Sequence, residues 1–153
     1  MHPVDAIDAK ILRLLQDDGR LSNLKLAQAV GLSPAAVHDR MQRLLREGYI
    51  VGYEAVLNPG LLNAGLLVFA EVQLTTAGVE VNAAFKAAVQ ARPEILECHE
   101  VAGGFDYLIK TRVADMVAYR DLVASVVWAL PGVRSIRTYA VVEEVKSTAK
   151  IPL

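Results

Sequence analysis

Apolar residues recur at helical spacing through the first third of the chain and at strand spacing through much of the rest. Over residues 5–17, Ile7, Ile11, Leu14 and Leu15 fall at i, i+4, i+7 and i+8, with Lys10, Arg13 and Gln16 on the other side, which predicts an amphipathic helix. Asp5 is placed to cap it, Asp8 adds a second negative charge to its first turn, and Gly19 ends it. A shorter helix follows Ser22 and carries Leu24, Leu26, Ala27 and Val30 up to Gly31. A third opens with Ser33 as cap and Pro34 in the first helical position, where the missing N–H costs nothing, and it runs to Glu47 before Gly48. On its helical wheel Val37, Met41, Leu44 and Leu45 gather on one side. Ala35, Asp39, Gln42, Arg43 and Arg46 lie opposite, with His38 and Arg40 on the flanks.

After Gly48 the texture changes. Residues 49–57 read as a hinge strand, and Asn58-Pro59-Gly60 as a turn. A strand is predicted over 66–74, with Leu66, Val68, Ala70, Val72 and Leu74 on one face. A helix over 79–91 follows, its buried stripe Val81, Ala84, Phe85, Ala88 and Val89, and Pro93 closes it. Strands over 95–102 and 105–113 flank Gly103-Gly104. A helix over 115–130 starts at a capping Asp115, carries Val117, Leu122, Val126 and Leu130, and stops at Pro131-Gly132. The last strand is 133–145. The order is βαββαβ, so the predicted fold class is α+β: a three-helix, helix-turn-helix (winged-helix-like) domain followed by a ferredoxin-like antiparallel sheet with both helices on one face. The corresponding organisation is 1–49, a hinge at 50–62, and 63–153. The bare sheet face would carry Leu67, Phe69, Leu96, Leu108 and Val142, which predicts cover by a second copy's sheet and hence a homodimer.

Composition narrows the function classes. The 153 residues carry 16 Lys plus Arg against 17 Asp plus Glu, and 54% are apolar, so neither a disordered tail nor a protein binding nucleic acid through bulk positive charge fits. The longest apolar stretch, 64–70, is far below the ~18 residues that span a bilayer. Met1-His2-Pro3-Val4 lacks the basic start and apolar core of a signal peptide, so a cytoplasmic location is expected. A single cysteine, Cys98, forms neither an internal disulfide nor a Cys-rich zinc site. The mean hydropathy of +0.33 is high for a chain this short and agrees with surface covered by other subunits.

The second and third helices, joined by the tight Gly31-Leu32-Ser33 turn, make a helix-turn-helix pattern. The second helix of such a pair presents its N-terminal half to the major groove. That half carries Pro34, the small Ala35 and Ala36 for close approach, then His38, Arg40, Gln42 and Arg43 as hydrogen-bonding groups. Arginine pairs bidentately with guanine and glutamine with adenine, and Ser33 with the helix N-terminal amides suits a phosphate. The competing reading is a solvated charged face, since residues 1–49 hold seven Lys/Arg and six Asp/Glu.

Catalytic chemistry is poorly represented. Cys98 and His99 are neighbours on a strand and point to opposite faces, and the other histidines, His2 and His38, lie in the other domain, which argues against a metal site or a Cys–His nucleophile. Glu143 and Glu144 read as a charged edge. At Gly103-Gly104-Phe105-Asp106-Tyr107, two glycines let a small ligand approach the backbone, their N–H groups can bind a carboxylate, and Asp106 can meet an ammonium group. A plain hairpin turn accounts for Gly-Gly equally well.

Several blocks, taken together, resemble the leucine-responsive regulator/AsnC group of bacterial and archaeal transcription factors, the feast/famine regulators. In the first half these are Asp5-x-x-Asp8-x-x-Ile11-Leu12, Leu15-Gln16-x-Asp18-Gly19-Arg20, Leu26-Ala27-x-x-Val30-Gly31-Leu32-Ser33-Pro34, Arg43-Leu44-x-x-x-Gly48-Tyr49-Ile50 and Gly52-Tyr53. Further on come Glu97-Cys98-His99, Gly104-Phe105-Asp106-Tyr107-Leu108, Leu130-Pro131-Gly132-Val133, Arg137-Thr138-Tyr139 and Glu143-Glu144-Val145-Lys146. The resemblance covers essentially the whole chain. It implies a DNA-binding regulator, not an enzyme. It also implies dimers assembled into rings, often four dimers, and no cofactor beyond an amino-acid effector bound between dimers. The effector's expected neighbours are Gly103, Gly104, Phe105, Asp106 and Tyr107 with Thr138 and Tyr139. One departure stands out: many members carry Asp where this chain has Gly104, which leaves the effector's identity open. The rival readings are a tetrapyrrole-decarboxylase-like enzyme on the same architecture, and a module that binds a protein partner instead of DNA.

Overall fold

The computed structural model describes residues 3–75 and 78–153; Met1 and His2, which entered the signal-peptide and metal readings, lie outside them. Two compact units result. The first comprises Met1–Val56 and Lys146–Leu153, and the second Leu57–Val145.

In the first unit, α1 (Ala6–Asp17), α2 (Asn23–Val30) and α3 (Pro34–Arg46) begin as their capping residues dictate. Asp5 and Asp8 form a reciprocal capping box, Ser22 accepts from the Lys25 amide, and Ser33 accepts from the Ala36 amide. Gly31 ends α2 in the left-handed region at φ 73°, with its N–H on Ala27 O at 2.9 Å. The core is Ile11, Leu12, Leu26, Ala27, Val37, Met41 and Leu44. Full burial of each large member contributes about 1.5–3 kcal/mol. Leu45 and Leu24, assigned to apolar stripes, stand exposed instead. Beyond Ile50 no strand forms: Val51 and Val56 are 97% and 100% exposed, and the segment lacks a ladder partner within this unit. The hinge-strand expectation is corrected accordingly; alternation alone does not make a strand without a second row of donors and acceptors. Tyr53 lies against Gly19, where a Cβ would approach its ring to 3.0 Å.

The last eight residues were expected to belong with the sheet. They run along α1 instead: the Gln16 amide exchanges two hydrogen bonds with the Ile151 backbone at 2.6 and 3.0 Å, Arg13 donates to Leu153 O, and Lys150 pairs with Asp17. Polar side chains on the outer face of α1 thus hold a segment that has no apolar periodicity of its own.

The second unit opens with a 3-10 turn (Pro59–Leu62) and continues β1 (Leu66–Leu74), α4 (Val79–Gln90), β2 (Glu97–Glu100), β3 (Tyr107–Val113), α5 (Met116–Leu122) and β4 (Val133–Ala140). The sheet order is β2-β3-β1-β4, all neighbours antiparallel. Strand β1 has the bounds its alternation predicts. The other three are shorter than predicted because pairing stops: β3 ends its ladder with β1 at Val72–Tyr107, and β4 ends its ladder at Val68–Ala140. Both helices cover one face, where Phe85, Val89, Val127 and Leu130 pack on Ala70, Val72, Leu74, Tyr107 and Ile109. The Phe85 and Tyr107 rings lie 4.4 Å apart, tilted by 31°.

Two helical stripes differ from expectation. Ala84 is exposed, and on α5 the buried residue is Tyr119, packed with Val68 and Val113, whereas Val117 faces out. A π-helical turn at Val123–Val127, closed by Trp128 N–H on Val123 O at 3.0 Å, inserts an extra residue and shifts the helix face, bringing Val126 and Val127 inward together. On the open sheet face, register places Leu67, Phe69 and Leu108 together as predicted. Leu96 and Val142 lie beyond the strand ends and do not join them.

Candidate nucleic-acid interface and effector turn

Because Val37, Met41 and Leu44 turn inward, the opposite side of α3 is left to solvent. Ser33, Pro34, Ala35, His38 and Gln42 are all exposed there, with Asp39 and Arg46 beside them. His38 Nδ1 lies 3.3 Å from the Asn23 amide nitrogen, which links α3 to α2. Ser33 caps the helix by accepting the Ala36 N–H at 3.2 Å, and Pro34 brings no N–H to the first turn.

Arg40 and Arg43 are placed differently. They turn toward the start of α1, where Asp8 is fully buried. Arg40 Nη1 donates to Asp8 Oδ1 and Asp5 Oδ2, each at 2.7 Å, and Arg43 Nη2 donates to Asp8 Oδ2. The Asp5 N–H completes the set at 3.2 Å on Asp8 Oδ2. Burial, the largest single influence, pushes the Asp8 carboxyl up, but Arg43, Arg40 and the Asp5 amide together outweigh it and hold the group below the ordinary aspartate range. The Asp5 carboxyl is lowered by the Asp8 amide and then by Arg40. Both guanidiniums are correspondingly raised, Arg40 chiefly by Asp5 and Arg43 chiefly by Asp8. An open cleft lined by Pro3, Asp5, Asp39, Arg40 and Arg43 lies over this cluster. Asp8 is the functional candidate that the sequence did not reveal. Its position in a first turn marks it as a dipole partner, and nothing local shows that residues over thirty positions away converge on it.

In the second unit, the turn after β2 is stapled to the end of β1. Asp106 Oδ2 accepts the Leu74 N–H at 2.7 Å, and Asp106 N–H donates to Val72 O. Gln73 Nε2 donates to Gly104 O at 2.7 Å while its oxygen accepts from Ser135. Gly103 and Gly104 are exposed, neither has a positive φ, and a Cβ at either would meet open space. Their use is therefore not a turn requirement. Phe105 is half-buried. Tyr107 is buried among the helices, its hydroxyl donating to Asn82 Oδ1 at 3.2 Å. Thr138 shares the helix-covered face with Ala70 and lies 2.9 Å from the Tyr119 hydroxyl, whereas Tyr139 shares the open face with Phe69 and donates to Glu71 at 2.8 Å. The seven expected effector neighbours thus divide between a shared turn and two sheet faces.

The groups set aside as non-catalytic are accounted for. Cys98 pairs with Ile109 on the helix-covered face, half-buried, its thiol pushed up by that burial; His99 pairs with Leu108 on the other face and contacts Glu97. Glu144 grips Arg112 through both oxygens at 2.8 and 2.7 Å. Among the described residues, no helix is long and apolar enough to cross a membrane.

A three-helix helix-turn-helix unit joined to a βαββαβ unit defines a class: transcriptional regulators that pair a DNA-binding module with a ligand-binding one. Residues 4–51 match the winged helix-turn-helix DNA-binding family, and residues 67–151 match the Lrp/AsnC ligand binding domain. The chain belongs to the Lrp/AsnC family of transcriptional regulators. It is 53% identical over 145 residues to the leucine-responsive regulatory protein of Haemophilus influenzae, covering 95% of this chain and 87% of that protein. The Escherichia coli protein of the same name is 51% identical over 148 residues, covering 97% and 90%. Among solved structures, a transcriptional regulator of Neisseria meningitidis in complex with L-Met superimposes with a TM-score of 0.92 at 33% identity, covering 98% of this chain and 97% of that one. Escherichia coli AsnC, at 21% identity, shares the fold with a TM-score of 0.90 over 99% and 100% of the two chains. These relatives are named as regulators, and the enzyme reading is set aside with them.

Proposed function

We infer that α3 reads duplex DNA, and that an amino-acid effector bound at the turn after β2 changes how strongly an assembly of several copies holds its site. The observation that carries the reading is the exposure of Ser33, Pro34, Ala35, His38 and Gln42 on one side of α3 while its apolar side is locked in the core. Gln42 is suited to an adenine edge, His38 to a base or phosphate, and Ser33 with the helix N-terminus to a phosphate.

The effector reading is supported by the exposed Gly103–Gly104 backbone and by the L-Met complex of the Neisseria regulator. Asp106 holds the Leu74 N–H through Oδ2, and its Oδ1 suits an ammonium group. Since Thr138 and Tyr139 point to opposite faces, a second copy completes the site. A homodimer through the open sheet faces, further assembled as a tetramer of dimers, supplies both that copy and several reading helices on one DNA. An effector then acts only to the extent that it prefers one arrangement of the assembly. The protein works in the cytoplasm, beside the DNA it reads.

The test is fluorescence anisotropy on labelled DNA from upstream of the protein's own gene and on a scrambled duplex, at fixed salt, with and without each of the twenty amino acids. Specific binding that a few amino acids strengthen or weaken is the expected result. Specific binding without any response removes the effector turn, and equal binding to both duplexes removes sequence reading by α3.

A further inference from the structure

We propose that Asp8, assisted by Asp5, is a specificity-determining residue: its carboxylate occupies Arg40 and Arg43 as a DNA phosphate would, and so withholds two of the three arginines of α3 from sequence-blind binding. The inference rests on the reading that α3 faces DNA.

A carboxylate and a phosphate oxygen offer a guanidinium the same interaction, short charge-assisted hydrogen bonds to a negatively charged acceptor. Asp8 makes that interaction from inside the protein. It is fully buried, it takes one nitrogen of each arginine, and its position is fixed by the Asp5 amide and by its own place in the first turn of α1. The arginine side chains remain 27% and 20% exposed, at the margin of the open cleft, so each keeps unengaged N–H groups within reach of solvent. They are withheld, but not sealed. Arg46 is left as the arginine of α3 free of these two carboxylates.

Sequence-blind affinity grows with the number of phosphates neutralised, with a slope of about 0.9 in log K against log salt for each. Tying up two arginines removes up to two such contacts while leaving His38 and Gln42 free to read bases. A module whose Lys/Arg and Asp/Glu nearly balance then rejects random DNA better than its arginine content suggests.

The experiment compares the full-length wild type with Asp8→Asn and Asp5→Asn on specific and scrambled duplexes, from 50 to 200 mM salt. Asparagine keeps one oxygen for the Asp5–Asp8 cap, while the negative charge and the other acceptor oxygen give way to an NH2 donor that repels a guanidinium. On scrambled DNA the loss of affinity across that salt range should steepen by about 3.5-fold for one freed arginine and about 12-fold for two. The ratio of specific to scrambled affinity should fall. Adding Arg40→Gln and Arg43→Gln to Asp8→Asn should return the slope to the wild-type value. Melting by circular dichroism establishes that each variant is folded; where Asp8→Asn does not fold, Arg43→Gln in the wild-type background carries the test, its salt slope on scrambled DNA staying at the wild-type value if Asp8 withholds that side chain. Weaker binding to both duplexes with an unchanged salt slope in a folded variant overturns the proposal and makes Asp8 a structural tie only. Gln42→Ala separates the underlying reading: if it leaves the specific-to-scrambled ratio untouched, α3 does not read bases and the failure lies there.

Discussion

Asp106 Oδ2 accepts the backbone N–H of Leu74 at 2.7 Å, which fastens the turn after β2 to the last residue of β1. This makes Asp106 structural as well as a candidate ligand, and two substitutions tell the roles apart. Asp106→Ala should lower stability by about 1.5–3 kcal/mol, the range for a hydrogen bond to a charged group. Asp106→Asn retains an acceptor for Leu74 and should stay within about 0.5–1 kcal/mol of the wild type, by the smaller worth of a neutral bond. Loss of the amino-acid response in both variants, with DNA binding intact, assigns the carboxylate to the effector. A normal response in Asp106→Asn restricts it to the staple.

The Asp8 carboxyl is held below the ordinary aspartate range in the folded protein, so its unfolded counterpart binds a proton more readily. Its contribution is fully present above about pH 4, the unfolded value, and is lost as pH falls through the lower folded value. Asp5 and Glu97 are lowered as well and add to the wild type's acid sensitivity. Asp8→Asn should therefore cost about 1–3 kcal/mol near neutrality, and less as pH falls toward 2. Converging melting temperatures of variant and wild type between pH 6 and 2 are the expected result; a constant gap would show that Asp8 does not titrate on folding.

Gly31 and Gly132 share nearly the same backbone conformation, φ 73° and 74°, in different surroundings. A Cβ at Gly31 meets open space, whereas one at Gly132 comes within 2.5 Å of Val81 Cγ1. Gly31→Ala should cost only the left-handed penalty of about 1–2 kcal/mol. Gly132→Ala adds overpacking of about 1–3 kcal/mol. Chemical denaturation of the two variants measures the difference, and equal losses would mean that Val81 yields without cost.

Phe85 is fully buried against Tyr107. Phe85→Ala should cost about 3–5 kcal/mol through lost burial and the cavity left behind. Tyr107→Phe keeps the ring and removes only the bond to Asn82, about 0.5–1.5 kcal/mol. Urea unfolding in which the two substitutions cost the same would place Tyr107's contribution in its hydroxyl and contradict the packing.

The legible parts of this molecule are those governed by neighbours in sequence. Asp5, Ser22, Ser33 and Asp115 cap helices because a short polar side chain reaches the amides two or three residues on, and Gly31 ends α2 because the left-handed region costs glycine little. The alternation 66–74 defines β1 at both ends, since one side packs under two helices. The exposed side of α3 follows from its wheel in the same way.

Other features depend on groups distant in the chain. Residues 49–57 have strand composition and no strand, because a ladder needs a partner row. The π turn in α5 shifted its buried face away from regular spacing, and the polar side chains of α1 captured residues 150–153. At the candidate sites, the sequence by itself determined which residues α3 could present and that Gly103–Gly104 would fall in a turn between two strands. Only the tertiary structure decided that Arg40 and Arg43 close on Asp8, that Asp106 is engaged by Leu74, and that Tyr107 is buried in the core. The physical reason is reach: local hydrogen bonding and periodicity fix the backbone's form, but a long charged side chain goes to the acceptor that the packed helices bring within its range.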